Sequence, residues 1–484
     1  MLKPVFRHAP PDDLPVVEPV AAVPDALRGA AESAHFAAKP GQLLEPAAVP
    51  RRLLAGIGAG ARYDLERAGA AVARHWSGIP HVALDARDLS ALQAAELLAG
   101  FCLGAWRFDR HRKRDDTPRL KRVTVATPHR DAAREAWARA ETAVRGTLFA
   151  RDLVSEPANH LTTKEFARRL RGLTKHGIEV EILGPKRLAR DGFGALLAVG
   201  SGSAHGPRLA VLRWRGTLDA PPVAFVGKGI VFDTGGISIK PAHGMEAMRA
   251  DMAGAAACAG AILSLALRNS PAPAVAVLAI AENATGAGSY RPGDVLRTLS
   301  GRTVEVVDTD AEGRLVLADA LHHALCFKPR AVVDLATLTG AIVSALGTHR
   351  AGLFGNDAAL MASLAATGEQ VGERLWPMPI GESHRVDLAS DIADIRQCVP
   401  SSRGEGGWAA RFIPDASHAA AFLREFAGGV PWAHLDIAGV DTLIRPHALG
   451  PAGATGWGVR LLDALVAARF EEEDHHAVPW TAAP

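Results

Sequence analysis

The sequence predicts an α/β protein, with a mixed central sheet flanked by helices in a C-terminal catalytic domain and a smaller N-terminal α/β domain. From about residue 156 onwards, short apolar runs alternate with segments of helical periodicity, which is typical of α/β folds. The runs are apolar at almost every position, as expected of strands buried on both faces of a sheet. A length of 484 residues supports more than one domain.

The chain divides into three predicted segments, namely a divergent N-terminal domain at 1–130, a linker helix within 131–155 and the catalytic domain at 156–484. Residues 51–60 (RRLLAGIGAG) resemble a dinucleotide loop only superficially, because the full glycine pattern is missing. Residues 107–122 hold eight Lys or Arg against three Asp. We interpret this run as a solvated loop or helix end, with nucleic-acid contact as the alternative. The Ala-, Arg- and Glu-rich residues 131–153 predict the linker helix.

Apolar runs and helical periodicity place six strands and three helices in the catalytic domain. The predicted strands are 178–183, 209–212, 223–226, 274–281, 303–307 and 331–335, and the helices are 164–175, 248–267 and 313–326.

Composition excludes several classes of protein. A net charge of +2 argues against a protein that coats nucleic acid, which needs a clear basic excess. The four cysteines are far apart, so a disulfide scaffold or zinc knuckle is not expected. The N-terminus lacks the apolar run of a signal peptide, and the apolar stretch 252–267 fits a buried helix better than a membrane span. We therefore expect a cytoplasmic protein without a membrane partner; His475 and His476, in the C-terminal tail, lack a fixed metal site.

A first polar cluster follows predicted strand 303–307, where DTDAEGRL contains Asp308, Asp310, Glu312 and Arg314. Asp310 and Glu312, two residues apart, point to the same side of an extended chain and can converge on one cation. Apolar residues then recur at helical spacing, so a helix begins near residue 313 with its free N–H groups facing the same point. This pattern suggests a metal site beside a small-anion site at Arg314.

A second cluster follows predicted strand 223–226 and reads VGKGIVFDTGGISIK, with Lys228, Asp233 and Lys240. Only ten of the 54 basic residues are lysines, yet this stretch keeps two of them. Arg does not release its proton in a protein, whereas Lys beside a cation can become a nitrogen ligand or act as a compact electrophile. Structural ion pairs with Asp233 and with Asp251, in a third cluster, are the alternative.

Together these clusters suggest a site for two metal ions. Lys228 and four carboxylates (Asp233, Asp251, Asp310 and Glu312) are too many ligands for one ordinary cation and suit a pair with bridging oxygens. Such a site activates a shared water and polarises a carbonyl or phosphoryl oxygen. The pattern therefore predicts metal-dependent hydrolysis as the reaction class, but it does not identify the substrate.

These residues resemble the leucyl aminopeptidase family, the cytosolic, dizinc, hexameric aminopeptidases. The resemblance covers about residues 150–470 and extends to further motifs: RDLVSEPANHLT at 151–162, MRADMAGAAA at 248–257, AENATGAGSYRPGDVL at 281–296, DLATLTGA at 334–341, SDIAD at 390–394, WAHLDIAG at 432–439 and GATGWGVRLL at 453–462. It implies an aminopeptidase that releases N-terminal residues from peptides by two-metal activation of a bridging water. It also implies a homo-hexamer and two divalent ions, zinc or manganese, with magnesium or cobalt also possible.

The resemblance also implies a role for each matching residue. The tighter metal is expected on Lys228, Asp233, Asp251 and Glu312, and the more exchangeable one on Asp233, Asp310 and Glu312. Lys240 is expected to polarise the scissile carbonyl, and Arg314 to hold a bicarbonate that acts as general base. The free α-amine of the substrate would bind at Asp251, and the leaving amine would bind the carbonyl of Leu338. The side chain of the first residue would occupy a pocket whose walls are formed by Met248, Thr337, Gly340 and Ala438.

Three departures from the family pattern stand out. Asp308 replaces the usual Asn, the segment 401–417 replaces a shorter Gly-rich loop, and Asp441 stands where an apolar or small residue is usual. A buried Asp441 would favour a basic first residue, unless it points to solvent. Two other functions stay open: a peptidase-like scaffold that binds DNA through 107–122, and two-metal phosphoester hydrolysis.

Overall fold

The N-terminal part of the protein is built on a six-stranded sheet. The structure, a computed structural model, describes residues 2–113, 118–400 and 413–472. The sheet order is β1-β6-β5-β2-β4-β3, and neighbouring strands are parallel except β3 and β4. Its elements are β1 (Lys3–Arg7), β2 (Val16–Val20), α1 (Arg28–Ser33), β3 (Leu43–Leu44), β4 (Arg52–Gly56), α2 (Arg62–His75), β5 (His81–Asp85), α3 (Ala91–Gly104) and β6 (Arg122–Ala126).

A long helix, α4 (Arg130–Val154), leads from this sheet into the C-terminal part. The elements that follow are α5 (Thr163–Arg171), β7 (Glu179–Leu183), α6 (Pro185–Asp191), α7 (Gly194–Val199), β8 (Arg208–Trp214), β9 (Val223–Asp233), α8 (Ala253–Leu267), β10 (Ala274–Asn283), β11 (Val295–Arg297), β12 (Thr303–Glu305), α9 (Glu312–Ala324), β13 (Ala331–Ala336), α10 (Gly340–Leu346), β14 (Ala351–Gly355), α11 (Ala358–Val371), β15 (Leu375–Pro377), α12 (Glu382–Asp387), β16 (Ile395–Arg396), α13 (Asp415–Arg424), β17 (Trp432–Asp436), β18 (Thr442–Leu443), β19 (Gly453–Ala454) and α14 (Val459–Arg469).

An eight-stranded mixed sheet forms the centre of the C-terminal part. Its order is β15-β14-β17-β13-β9-β10-β8-β7, with parallel pairing from β17 to β10 and antiparallel pairs on either side. Val223 and Phe225 pack into a core with α4, α8 and α14, whereas Ala224 and Val226 pack into a second core with α7, α9 and α13. Both faces are therefore covered, which confirms the predicted fold class; the domain boundaries at 130 and 155 stay predictions.

Two predicted strands differ from the structure in ways that matter for the site. Strand 223–226 was expected to end before Lys228, but β9 continues to Asp233, because its small Gly227 and Gly229 let α8 and β10 approach closely. Strand 303–307 was expected in the central sheet. β12 instead ends at Glu305 and belongs to a separate three-stranded sheet with β11 and β16.

The helical segment Met245–Leu267 is long and apolar enough to cross a membrane by length and composition. In the folded chain, however, 94% of its most apolar window is buried, as in the core helix of a globular protein. A 3-10 turn at Met245–Ala250 opens the segment, and α8 begins at Ala253. The helix predicted at 248–267 therefore begins later than expected, and this turn sets Asp251 between the two pieces.

Helices α4 and α8 touch backbone to backbone at one pair of glycines. A Cβ built on Gly146 would lie 2.3 Å from the carbonyl oxygen of Gly260, and one on Gly260 would lie 2.6 Å from that of Gly146. Such distances are far inside van der Waals contact, so the helices can cross this closely only without side chains at both positions.

Replacing Gly260 by Ala is expected to lower the free energy of unfolding by about 1–3 kcal/mol, because α8 must move away from α4. The measurement is the midpoint of urea unfolding. Gly172→Ala is the matched control, since nothing lies within 4 Å of a Cβ built there. Equal midpoints for both variants would contradict the close helix crossing.

Candidate metal centre

Lys228 joins two carboxylates at the centre of the predicted site. Its side chain is 3% exposed, and its Nζ lies 2.8 Å from Oδ1 of Asp251 and 2.8 Å from Oε1 of Glu312. Nζ also donates a 2.8 Å hydrogen bond to the carbonyl of Thr337. Burial alone lowers the pKa of Lys228, but the attraction of Asp251 and Glu312 outweighs it and shifts the pKa upward. The side chain is thus an ammonium when no other cation is present.

Lys240 joins the second pair of carboxylates. Its Nζ lies 2.9 Å from Oδ2 of Asp233 and also pairs with Oδ1 of Asp310. A backbone hydrogen bond of 2.9 Å from Lys240 N–H to the carbonyl of Thr234 closes the loop between them. Together with the contact of Lys228 to Asp251, this contact to Asp233 is one of the structural ion pairs predicted from the sequence as the alternative to a role in metal binding.

Asp233 is oriented by the loops around it. Its Oδ1 accepts hydrogen bonds from Asn283 Nδ2 at 2.7 Å and from the Gly235 N–H at 2.9 Å. Gly235 and Gly236 have φ of +85° and +70°, and a Cβ on Gly236 would lie 2.9 Å from Oγ1 of Thr309. Only glycine combines this backbone conformation with such close approach to the loop that carries Asp310.

The start of α9 presses directly against Lys228. A Cβ built on Gly313 would lie 2.8 Å from both Cε and Nζ of Lys228. The helix can therefore bring Glu312 to the lysine only because the next residue lacks a side chain. Asp233, Asp310 and Glu312 each offer one carboxylate oxygen, and these three oxygens lie within 4.8 Å of one another.

The donor set is suited to cations. Oδ2 of Asp251 and Oε2 of Glu312 are buried without a hydrogen-bond partner in the described part of the chain, whereas Oε1 of Glu312 and Oδ1 of Asp310 pair with the two lysine ammonium groups. Burial, together with repulsion from neighbouring carboxylates, raises the pKa of Asp251 and of Glu312, and raises that of Asp310 to about 7. Divalent cations would satisfy these oxygens and relieve the repulsion.

The predicted pocket residues lie on turns that follow neighbouring parallel strands. Thr337, Leu338 and Gly340 follow β13, and Ala438 follows β17. Thr337 Oγ1 donates a 2.7 Å hydrogen bond to Oδ1 of Asp251, so this wall is joined to the metal cluster. Met248 is partly buried in the 3-10 turn before Asp251.

The buried Asp436 joins the two turns. Its Oδ1 accepts hydrogen bonds from the N–H groups of Leu338 at 3.0 Å and Ala438 at 3.3 Å, and its Oδ2 accepts one from Thr339 Oγ1 at 2.7 Å. Sequence reasoning did not single it out, although it lies inside the motif WAHLDIAG.

Arg314 is the one predicted site residue whose surroundings differ from expectation. The side chain is buried, and it already pairs with a carboxylate of the chain: Nη2 lies 2.9 Å from Oδ1 of Asp415. Nη1 donates a 2.9 Å hydrogen bond to the carbonyl of Gln397. Gln397 was not recognised in the sequence, and Asp415 was covered only as part of the segment 401–417, because a single carboxylate or amide far along the chain has no motif.

The three departures from the family pattern have different outcomes. Oδ1 of Asp308 accepts a 2.9 Å hydrogen bond from the N–H of Asp310, so it shapes the turn that carries that ligand. Burial raises the pKa of Asp441 to about 6, against the hydrogen bonds that Thr442 and Gly439 donate to it. Its part in choosing the first residue stays a prediction. Most of the segment 401–417 lies outside the described residues, as do His475 and His476.

The basic run 107–122 is partly neutralised where the structure describes it. Arg110 pairs with Asp152 at 2.5 Å and with Glu156 at 3.1 Å, and His111 lies 2.5 Å from Glu156. Arg119 pairs with Asp109. These contacts are those of a loop fixed to α4, in line with the interpretation preferred from the sequence.

The chain is similar to known proteins over most of its length. The family model described as "Cytosol aminopeptidase family, catalytic domain" matches residues 148–463. A "Probable cytosol aminopeptidase" of Methylorubrum extorquens is 42% identical over 469 residues, which cover 93% of this chain and 90% of the relative. One of Brucella melitensis is 44% identical over 397 residues, covering 81% and 80%.

Among solved structures, the bottromycin maturation enzyme BotP in complex with Mn superposes with a TM-score of 0.83 at 36% identity. The match covers 95% of this chain and 99% of that one. A match to the family over most of the chain, and relatives of this identity over nearly full length, leave one conclusion: the chain belongs to the cytosol aminopeptidase family, and it is a metallo-exopeptidase with the family's α/β catalytic domain.

Proposed function

We propose that the cluster around Lys228 and Lys240 binds two divalent cations and that the chain uses them to release N-terminal residues from peptides. The observation that carries the proposal is the convergence of four carboxylates on two lysines, with buried oxygens that lack hydrogen bonds. Family membership supplies the reaction class.

The proposed metal ligands form two overlapping sets. Lys228, Asp233, Asp251 and Glu312 would hold the tighter cation, and Asp233, Asp310 and Glu312 the more exchangeable one. Two cations held by these residues would supply Lewis-acid chemistry: they would lower the pKa of a bound water and polarise the scissile carbonyl. Zinc and manganese are the proposed metals, and the manganese complex of BotP supports the second; magnesium and cobalt suit the same oxygen-rich set.

The chain's own residues bind and orient the peptide. The carboxylate of Asp251 would accept the free α-amine, which restricts cleavage to the first residue. The ammonium of Lys240 would stabilise negative charge that develops on the scissile carbonyl oxygen. The carbonyl of Leu338 would accept the leaving amine, and the first side chain would lie between Met248, Thr337, Gly340 and Ala438.

The remaining proposals concern the cellular location and the oligomeric state of the enzyme. We propose a cytoplasmic location, in line with the names of the relatives, and a homo-hexamer, as the family resemblance implies. Neither DNA binding through 107–122 nor phosphoester hydrolysis gains support from the described residues. The bicarbonate predicted at Arg314 would have to compete with a carboxylate of the chain, because Asp415 already pairs with that guanidinium.

Removal of metal is expected to abolish hydrolysis of amino-acyl anilides, because the carboxylate cluster by itself offers no Lewis acid. The measurement is turnover after dialysis against a chelator, followed by addition of Mn, Zn or Co one at a time. Recovery with one of these metals is expected. Full turnover by protein shown to be metal-free would contradict the proposed reaction.

A further inference from the structure

The surroundings of Arg314 combine burial with an incomplete set of partners. The guanidinium side chain is only 3% exposed, at the start of α9 and two residues after Glu312. Its Nη1 donates to the carbonyl of Gln397 and its Nη2 to Asp415, whereas Nε is buried without a hydrogen-bond partner in the described part of the chain. A buried cation of this kind needs a negative charge beside it.

Gln397 fixes the position of this guanidinium relative to the metal ligands. Its Oε1 accepts a 2.6 Å hydrogen bond from the N–H of Val307, and its Nε2 donates one of 3.1 Å to the carbonyl of Ala311. These hydrogen bonds tie Gln397, which follows β16, to the segment between Val307 and Ala311 that precedes Glu312. The backbone carbonyl of Gln397 in turn accepts the hydrogen bond from Nη1 of Arg314. Because this hydrogen bond holds the guanidinium in place, the negative charge that compensates it must lie beside it.

Asp415 is that acid. It is the first residue of α13, and its side chain is 38% exposed, so the carboxylate reaches inward to Arg314 from the rim of the site. The contact joins residues 101 positions apart in the sequence and places a carboxylate beside the buried guanidinium. Arginine and carboxylate in this arrangement form a charge-assisted hydrogen bond.

We propose that Asp415 is the resident anion of the Arg314 site and replaces the exchangeable bicarbonate expected there. The inference rests on the proposed function, and it names Asp415 as a positioning residue that supplies the negative charge from within the chain. Aminopeptidase activity should then be independent of dissolved bicarbonate, and removal of the Asp415 carboxylate should open a site for a small anion.

A binding experiment on metal-free protein tests the site without reference to activity. Carbon-13-labelled bicarbonate is titrated with protein and its NMR line width is followed. Wild type is expected to leave the signal sharp, whereas Asp415→Ala should broaden it saturably. The double variant Asp415→Ala/Arg314→Ala should lose the broadening. Asp387→Asn is the matched control. Asp387, at the end of α12, lies 3.0 Å from His418, which is on α13 like Asp415, and its carboxylate pairs with that histidine rather than with Arg314.

An activity experiment on the metal-loaded enzyme follows the same variants in bicarbonate-depleted buffer. Asp415→Ala is expected to lose at least about tenfold in kcat and to regain most of it when bicarbonate is added, while wild type and Asp387→Asn do not respond. Asp415→Asn, which keeps the size of the side chain, serves if the alanine variant unfolds, and the same rescue is expected of it.

Two results would overturn the inference: saturable binding of bicarbonate by wild type that is lost in Arg314→Ala, or the same sharp signal for Asp415→Ala and the control. An inactive wild type with the expected binding pattern would count against the proposed function alone, since the binding experiment shows Asp415 in the anion's place without any peptide hydrolysis.

Discussion

Replacing Lys228 by arginine is expected to remove the tighter metal ion and with it nearly all aminopeptidase activity, although the positive charge is kept. The ammonium lies 2.8 Å from two carboxylates, and the backbone of Gly313 leaves no space for a larger head group. Arginine also does not release its proton to become a nitrogen ligand. Loss of a residue that merely supports a ligand lowers metal affinity by about 10–100-fold, so loss of the ligand itself should cost at least about 100-fold.

The measurement is metal content after dialysis, together with kcat/KM on an amino-acyl anilide. Lys228→Met, which is neutral and similar in length, distinguishes loss of the ligand from overpacking, because it should lose the metal without crowding Gly313. Lys186→Ala, an exposed lysine on α6, is the control for general effects of lysine replacement. Retention of two metals per chain by Lys228→Arg would contradict the ligand assignment.

Replacing Lys240 by alanine is expected to lower kcat by about 10²–10³-fold while metal content is kept. In the absence of metal the Lys240 ammonium pairs with Asp233 and Asp310, the carboxylates proposed for the exchangeable cation. Its removal therefore deletes the charge that would stabilise the reacting carbonyl, but it also removes a competitor for the cation. The exchangeable site should bind metal as tightly as in wild type, or more tightly.

Metal content after dialysis therefore distinguishes the two lysine variants. Lys228→Arg should lose metal and activity together, whereas Lys240→Ala should lose activity alone, and Lys240→Arg should recover part of the turnover through its retained charge. Wild-type turnover by folded, metal-loaded Lys240→Ala would exclude the role proposed for this side chain.

Local sequence patterns were sufficient to predict the fold class and to single out the lysines and carboxylates that the structure brings together. The apolar strand runs predicted a sheet covered on both faces, and β9 and β13 have neighbouring residues in opposite cores. The lysines of VGKGIVFDTGGISIK and the carboxylates of DTDAEGRL stood out because their spacing and residue types fit cation chemistry. The structure brings these residues together as expected.

Local sequence patterns predicted the ends of strands, and the sheet to which a strand belongs, less well. Lys228 lies inside β9 rather than after a strand, since pairing with β10 continues to Asp233. The strand before Asp308 pairs with its neighbour in the chain, β11, and with β16, which is far from it in sequence. The second pairing has no local signal, so the sequence could not assign the strand to a separate sheet.

The sequence by itself determined which residues are the candidates for metal binding and catalysis, because ligand type and spacing are local properties of the chain. Only the tertiary structure decided what surrounds them. Asp415 meets Arg314, and Asp436 joins the two pocket turns, through contacts that span 101 and 98 residues of chain. The partner of a buried charge is set by packing rather than by spacing, so whether Arg314 holds a free anion or a carboxylate of its own chain could be read only from the folded protein.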